Sequence, residues 1–285
     1  MKEYFSTGYK NAKKDWRINL IKFVLLLFGI YFMALGIAIY IPTEIGASQV
    51  DFTTFVLVGL KTGTTERLDN FTKVYSDMLI YFYLVLTFIS TCMGLVNTIR
   101  AHKKTMEPKV WIGFVFTLIT NIAITFILPK VVYLNSMYVT YDGVKDMIMV
   151  NGVVSTGVAS WIFAGAFIVF CLGVTCWVKS GWATGPYNTV CDELLKMTRL
   201  TFPMARLICD AAMVVPGLIL LWVIPNGDKT GFLFTNLSIG TLVFVFATGP
   251  LCGAMKKLLD KIIDYDMLKR GNEKVVVVDN EQKAS

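Results

Sequence analysis

The chain has 285 residues, of which 55% are hydrophobic and 16% charged, and its formal net charge is +7. Its mean hydropathy is +0.61, and its apolar residues fall in long uncharged blocks. This composition excludes a water-soluble globular protein and an intrinsically disordered one, and it is typical of a polytopic membrane protein.

The apolar residues form six blocks, each close to the roughly 20 residues that cross about 30 Å of hydrocarbon. The first block follows a charged segment that ends at Arg17, and no small-residue cleavage site comes after it, so we expect a retained helix. The predicted fold class is an all-α membrane protein with six transmembrane helices. The blocks cover residues 23–41, 78–99, 110–129, 155–178, 207–224 and 230–255.

The distribution of lysine and arginine predicts the orientation. With the N-terminus inside the cell, the inner segments carry 20 of the 27 basic residues and the outer segments carry six. Because basic residues favour the cytoplasmic side, we expect both termini in the cytoplasm of a multi-pass protein of the cell membrane. This asymmetry also explains the net charge, so the lipid bilayer is an expected partner and nucleic acid is not.

Catalytic and metal-binding motifs are missing from the sequence. His102 is the only histidine and lies next to two lysines, and the six cysteines have no C-x-x-C spacing. The sequence also lacks the P-loop, H-E-x-x-H and G-x-S-x-G patterns. We therefore expect no enzyme activity, no cofactor and no metal ion.

The first block is followed by an interruption. After Ile41 come polar and small residues, and then only nine apolar positions before Lys61. Nine residues are too few to cross a bilayer. We therefore interpret this stretch as a polar break followed by a short helix.

The same order of features returns in the second half of the chain. Residues 35–57 align without a gap with residues 172–194. The matched positions include Tyr40 with Trp177, Ser48 with Gly185 and Asp51 with Asn188, and the third spans match from Ile112 and Ile239. The alternative is that any two membrane helices ending in glycine and serine look alike.

Each repeat contains three spans, so the second repeat is predicted to enter the membrane upside down relative to the first. Inverted repeats with interrupted segments are typical of transporters. The predicted short helices enter from opposite sides and cover residues 51–60 and 188–196, with Asp51 and Asn188 as N-caps and Ser48 and Thr184 as secondary polar groups. The predicted segments are an N-terminal segment at 1–17, the repeats at 18–132 and 155–255, a lid-like outer loop at 133–154, and an amphipathic helix and tail at 256–285.

The two breaks read "IGASQVD" at residues 45–51 and "WATGPYN" at residues 182–188. With these motifs the chain resembles the YczE/YitT-type family of bacterial membrane proteins over about residues 20–255. Gln49 replaces the proline of that pattern, and Ala183 and Asn188 replace a glycine and an aspartate. The resemblance implies the two-repeat architecture with short re-entrant helices, and it supplies no substrate.

The predicted site lies near the midplane, between the two breaks. Inward-facing amides at the start of each short helix favour negative groups on a ligand. The predicted substrate-binding residues are Gly46, Ser48, Gln49, Asp51, Trp182, Gly185, Tyr187 and Asn188.

Two aspartates are candidates for proton coupling, because charges within a membrane are costly. Asp77 follows Lys73 by one turn, and Asp210 follows Arg206 by one turn. The alternative is that each pair anchors a helix end at the interface. We expect three other carboxylates to be solvated: Glu44, Asp192 and Glu193.

These features favour a membrane transporter or facilitator of a small polar or anionic solute, with Asp210, Arg206 and Asp77 available for coupling to protons. A channel is not distinguished from a carrier by sequence. The alternative of another class is a non-transporting membrane subunit that regulates or assembles a partner protein through its tail. For the transporter, six spans make a small body, so a homodimer that shields or completes the pathway is a further expectation.

Overall fold

The computed structural model describes residues 15–68, 70–150, 152–182, 185–263 and 265. Within them the fold is all-α, apart from one short hairpin, and it contains six helical segments long and apolar enough to cross a membrane. In chain order the helices are α1 (Trp16–Tyr40), α2 (Gln49–Thr62), α3 (Phe71–Thr105), α4 (Lys109–Tyr138), α5 (Tyr141–Ile148), α6 (Thr156–Ser180), α7 (Pro186–Met197), α8 (Phe202–Leu221), α9 (Lys229–Asn236) and α10 (Ile239–Ile262).

The six predicted spans are confirmed as α1, α3, α4, α6, α8 and the pair α9–α10. Large apolar side chains such as Phe88, Trp161 and Phe246 are exposed on their outer faces. This surface suits hydrocarbon and does not suit water. Its helices therefore make the chain a multi-pass membrane protein. Of the predicted terminal segments, residues 1–14 and 266–285 lie outside the described residues.

The sixth span is interrupted between α9 and α10, which the continuous apolar block did not predict. The amide of Ala47 donates a 2.8 Å hydrogen bond to the carbonyl of Asn236. The Thr241 hydroxyl lies within donating distance of the carbonyls of both Ala47 and Asn236. Tertiary partners therefore satisfy backbone groups that the interruption leaves without intrahelical bonds.

Helix α2 begins two residues earlier than predicted, because Ser48 is its N-cap. The Ser48 hydroxyl accepts a hydrogen bond from the Asp51 amide at 3.2 Å and donates one to the Asp51 carboxylate at 2.5 Å. A serine followed three residues later by an acidic residue is the capping-box arrangement, with the acidic residue inside the first turn. The prediction that Asp51 is the N-cap is therefore wrong.

Helix α7 also begins two residues earlier than predicted. Its N-cap is Gly185, at φ 77°, and Pro186 is its first residue. Proline suits that position because the first amides of a helix need no intrahelical acceptor. Asn188 therefore lies in the first turn and is not the predicted N-cap, and Thr184 lies outside the described residues.

Helices α1 and α6 form a close antiparallel pair at the centre of the fold. A Cβ atom added to Gly173 would lie 2.2 Å from the backbone nitrogen of Met33, and one added to Gly29 would lie 2.6 Å from that of Trp177. Gly36 lies equally close to Phe170 on the same seam. Small residues let helix backbones approach in this way, so the glycines position α1 and α6 against each other.

Each short helix packs on the second long helix of the other half. Helix α2 lies along α8, where the Thr53 hydroxyl donates a 2.5 Å hydrogen bond to the Met213 carbonyl. Helix α7 lies along α3, where the Asn97 amide donates a 2.7 Å hydrogen bond to the Glu193 carboxylate. The two halves are therefore interlocked.

The outer loop predicted as a lid contains helix α5 and a hairpin of two short strands. Strands β1 (Met149–Val150) and β2 (Val153–Val154) pair antiparallel. Before them, α4 continues to Tyr138, so the loop is shorter than the span pattern predicts. A 3₁₀ turn, Ile41–Thr43, leads from α1 into the first break and contacts α5.

Candidate functional site

A cavity of about 350 Å³, lined by both polar and apolar groups, lies between α3, α4 and α7. It runs along the polar face of α7, which presents Thr189, Glu193 and Lys196 at helical spacing. Gly94 of α3 and Gly113 of α4 have no side chain to project into the cavity. The remaining lining residues are Ser90, Thr91, Asn97, Thr98, Ala101, Val110, Phe114, Thr117, Leu118 and Asn121.

The deep end of the cavity is formed by uncharged hydrogen-bonding side chains. The Thr189 hydroxyl donates to the Asn121 side-chain oxygen at 3.1 Å, and the Asn121 amide lies 3.5 Å from the Ser90 hydroxyl. Asn121 lies near the middle of α4, whereas Thr189 is in the first turn of α7. The N-terminus of α7 is therefore at mid-height of the helical body.

The end of the cavity nearest the C-terminus of α7 carries an ion pair. Lys196 donates a 2.6 Å hydrogen bond to Glu193, whose second carboxylate oxygen accepts from Asn97 at 2.7 Å. The Glu193 side chain is only 9% exposed, so the expectation that it is solvated is wrong. Its burial comes from α3, a helix that the periodicity of α7 alone does not reveal.

Four of the sequence-predicted site residues meet at the second break. Arg206 donates a 3.0 Å hydrogen bond to the Asn188 side-chain oxygen, and its guanidinium lies 4.4 Å from the centre of the Tyr187 ring. The Tyr187 hydroxyl donates to the Asp210 carboxylate, and the Arg206 Nε lies 3.6 Å from the same carboxylate. The predicted pairing of Arg206 with Asp210 is confirmed, and both are also tied to α7.

The first break brings together Ser48, Asp51 and Tyr75. The Tyr75 hydroxyl donates a 2.5 Å hydrogen bond to Asp51, which is 3% exposed. Gly46, at φ 143°, packs against the start of α10, where a Cβ atom would lie 2.8 Å from the Thr241 nitrogen. Gln49 is buried, and its side-chain nitrogen has no hydrogen-bond partner among the described residues.

Tyr40 and Trp177, which are matched in the alignment of the two halves, each bury an unpaired hydrogen-bond donor next to a break. Neither the Tyr40 hydroxyl nor the Trp177 indole nitrogen has a hydrogen-bond partner in the described part of the chain. Tyr40 ends α1 and packs on Phe244 of α10, and Trp177 lies against Gly185. Each unmade bond of a buried polar group costs about 1–3 kcal/mol, so both breaks are bordered by polar groups that the packing leaves unsatisfied.

A charged cluster around Glu44 was not predicted from the sequence. Glu44, at φ 55°, accepts hydrogen bonds from Tyr141 at 2.6 Å and Lys145 at 2.7 Å, both on α5, and lies 3.5 Å from Arg67. Burial alone raises the pKa of the Glu44 carboxyl, but Arg67, Lys145 and Tyr141 outweigh it and lower the pKa below its ordinary value. Glu44 is therefore a charged anchor between the first break and α5, and the expectation of a merely solvated side chain is wrong.

The last two predicted site residues, Asp77 and Trp182, lie away from the cavity. Asp77 pairs with Lys130 of α4 at 3.4 Å, so the predicted pairing with Lys73 is wrong. The reason is that α4 packs along α3 and offers a lysine at the same height. Trp182 lies beside Phe23 of α1, with ring centres 6.0 Å apart. Neither residue lines the cavity.

The cavity and the predicted site adjoin without coinciding. The cavity takes its α7 wall from the turns after Gly185 and Asn188, and the first break is packed against α9–α10 on the other side of the fold. As a set of ligand contacts, the predicted residues therefore remain a prediction. Among the described residues no cluster of histidine, cysteine or acidic side chains has a metal-binding arrangement. The lined space offers hydroxyl, amide, carboxylate and ammonium groups, which are suited to reversible binding of a small polar molecule.

Comparisons with known proteins identify a family whose function is not known. The profile of a family of unknown function, DUF6198, matches residues 20–257. No curated protein and no solved structure matches the chain significantly. The match does not confirm the YczE/YitT-type name, although it agrees with membership of an uncharacterised family. Since the matched residues cover most of the sequence and all six spans, the chain belongs to the family of unknown function DUF6198.

Proposed function

We propose that the protein is a membrane transporter or facilitator of a small polar or anionic solute. The observation that carries this proposal is the cavity of about 350 Å³ that runs between α3, α4 and α7 as far as Asn121, near the middle of α4. A cavity with polar side chains at this depth in a membrane protein supports a path for a solute, because polar groups facing hydrocarbon are costly.

The depth of the two breaks supports the same function. An inverted repeat places the contact between Met33 and Gly173 near the bilayer midplane. From there α1 ends seven residues later at Tyr40, and α6 ends seven residues later at Ser180. Seven residues are about 10 Å of helix, whereas the hydrocarbon extends about 15 Å to each side of the midplane. Both helix ends then lie inside the hydrocarbon, where irregular backbone is tolerated only next to protein or a water-filled cavity.

The exchange of short helices between the halves supports an inverted repeat. In each half the first helix breaks, the short helix packs on the other half's second long helix, and the third helix returns to the first. Broken helices from two inverted repeats are typical of secondary transporters. With the cytoplasmic termini predicted from the charge distribution, the cavity opens toward the cytoplasm.

Blocking the cavity tests the proposal. Gly113 lines the cavity and has no atom within 4 Å of a Cβ atom placed on it, so Gly113→Phe fills the space without a clash at Cβ. Gly253→Phe is the matched control, since Gly253 on α10 is equally free but outside the cavity. We expect purified wild-type protein in liposomes to move a polar solute and Gly113→Phe to lose at least about 90% of that flux.

The solute panel for this assay contains amino acids, short carboxylates, polyols and inorganic anions. Flux in Gly253→Phe should equal that of the wild type. Flux that Gly113→Phe leaves unchanged would remove the cavity from the pathway. No flux of any panel solute would overturn the transporter and would favour the non-transporting subunit.

A further inference from the structure

The charges of the cavity balance each other. Of the residues that line it, Glu193 and Lys196 are the charged ones, and they pair with each other at 2.6 Å. A solute with a net charge would pair with one of these two side chains and leave the other without its partner, which is costly above all for Glu193, whose side chain is 9% exposed. The lining therefore favours a solute whose own charges also sum to zero.

The two charged side chains differ in how firmly they are held. Glu193 is 9% exposed and is fixed by Asn97, which donates to both its carboxylate at 2.7 Å and its backbone carbonyl at 3.0 Å. Lys196 is 60% exposed and has a long flexible side chain. Lys196 can therefore swing away from Glu193, which leaves a fixed carboxylate inside the cavity and a movable ammonium group at its mouth.

The deep end suits the uncharged remainder of such a solute. Ser90, Asn121 and Thr189 offer hydroxyl and amide groups without a charge. A volume of about 350 Å³ is near the lower end of the range of roughly 300–1,000 Å³ for ligand pockets. The cavity is therefore of a size for a small molecule that carries one cationic group, one anionic group and a short polar side chain.

We propose that the transported solute is a small zwitterion of the amino-acid type, with its ammonium group on Glu193 and its carboxylate on Lys196. The binding event exchanges one internal ion pair for two ion pairs with the solute. This inference rests on the proposed transport function and narrows the polar or anionic solute class to one with no net charge.

Three related probes test the charge requirement: serine, N-acetylserine, which lacks the cationic group, and serine methyl ester, which lacks the anionic one. We expect calorimetric titration of the full-length protein in detergent to show serine binding at least about tenfold more tightly than either derivative, because each derivative leaves one charged group unpaired. Lys196→Gln should shift the preference toward the methyl ester, and Glu193→Gln toward N-acetylserine.

Matched controls keep the result specific. Glu107→Gln removes an exposed carboxylate in the loop between α3 and α4, and Lys104→Gln removes an exposed lysine near the end of α3. Neither residue lines the cavity. Both variants should keep the wild-type order of the three probes. Lys196 is exposed, so its substitution tests the charge without disturbing the buried network.

The outcomes distinguish a failure of the zwitterion proposal from a failure of the transport proposal. If the wild type prefers a charged derivative or binds none of the three probes, while Gly113→Phe still blocks the flux of another solute, the zwitterion is overturned and transport stands. An order of preference that neither charge variant changes would also overturn the assignment of Glu193 and Lys196. If no panel solute crosses the membrane, the proposed function fails, and the transported zwitterion fails with it.

Discussion

Tyr75 of α3 donates a 2.5 Å hydrogen bond to the carboxylate of Asp51 on α2. The second half of the chain contains the same bond with the partners exchanged, because Tyr187 of the short helix α7 donates to Asp210 of the long helix α8. In both halves one aspartate and one tyrosine thus tie the first turn of the short helix to the long helix that follows it. The starting points of both short helices are held by the same chemistry.

Tyr75→Phe tests the contribution of the first of these bonds. The substitution removes the hydroxyl and leaves a buried Asp51 oxygen without its donor, so we expect a loss of about 1–3 kcal/mol in the free energy of unfolding. Denaturant unfolding of the purified protein in detergent measures it. Tyr81→Phe is the control, because Tyr81 is on the same helix and 59% exposed. Equal stability of the two variants would show that the bond to Asp51 does not stabilise the fold.

Gly173→Ala tests the seam between α1 and α6. The new Cβ atom would lie 2.2 Å from the backbone nitrogen of Met33, so the helices must separate, at a cost of about 3 kcal/mol or more. Gly165→Ala is the matched control on α6, since no atom lies within 4 Å of its Cβ position. We expect a large drop in thermal stability for the first variant and little change for the second. A Gly173→Ala protein as stable as the control would disprove the close contact.

Glu44→Gln tests the charged cluster around Glu44 through the pH dependence of stability. Because the folded state lowers the Glu44 pKa below its ordinary value of 4.5, the ionised carboxylate stabilises the fold fully above that pH. The stabilisation is lost as the pH falls through the lowered folded-state pKa. Since the side chain is 33% exposed and its ion pairs are screened, we expect about 1 kcal/mol in favour of the wild type at pH 7.

The measurement for Glu44 is the unfolding free energy of wild type and variant between pH 7 and pH 3. The difference should stay constant down to about pH 4.5 and shrink below it. Glu66→Gln, at an exposed position in the neighbouring loop, should show neither effect. A difference that grows on acidification would contradict the ion pairs of Glu44.

The orientation is tested by labelling single cysteines in a cysteine-free background. We expect a membrane-impermeant maleimide to label Glu66→Cys in whole cells and to label Lys104→Cys only after the cells are opened, because the basic segments favour the cytoplasm. Both positions are exposed. Labelling of Lys104→Cys from outside would reverse the predicted topology.

Asp210→Asn tests proton coupling at the second break. If Asp210 carries a proton during transport, flux in liposomes should change with pH in the wild type and become independent of pH in the variant. Glu107→Gln, at an exposed position in the loop between α3 and α4, serves as the control. Unchanged pH dependence in Asp210→Asn, with normal insertion and purification, would exclude Asp210 from the coupling.

Sequence patterns predict the six spans and the two breaks, because both depend on local properties. An uncharged block of about 20 residues is a membrane helix in most contexts. Glycine and serine at positions such as Ser48 and Gly185 interrupt a helix through their own backbone and side-chain chemistry. The i, i+4 contact of Arg206 with Asp210 is also local and could be predicted.

The charged clusters depend on contacts between distant segments and could not be predicted in this way. Glu193 is buried by Asn97, which lies 96 residues earlier in the chain. Glu44 is anchored by Tyr141, 97 residues later. The interruption after Asn236 is likewise stabilised from the other half, by Ala47. A single sequence contains no signal for which distant side chain will satisfy a buried polar group.

The exchange of short helices between the halves has a consequence for biogenesis. Thr53 finds its acceptor, Met213, only 160 residues later in the chain. Contacts of such separation make folding slow, so α2 emerges from the ribosome long before the helix that covers it. We therefore expect the newly made first half to remain incompletely folded, with α2 loosely packed, until α8 has been synthesised. Such an intermediate is a natural substrate for membrane chaperones. Once α8 is present, the two halves can pack together.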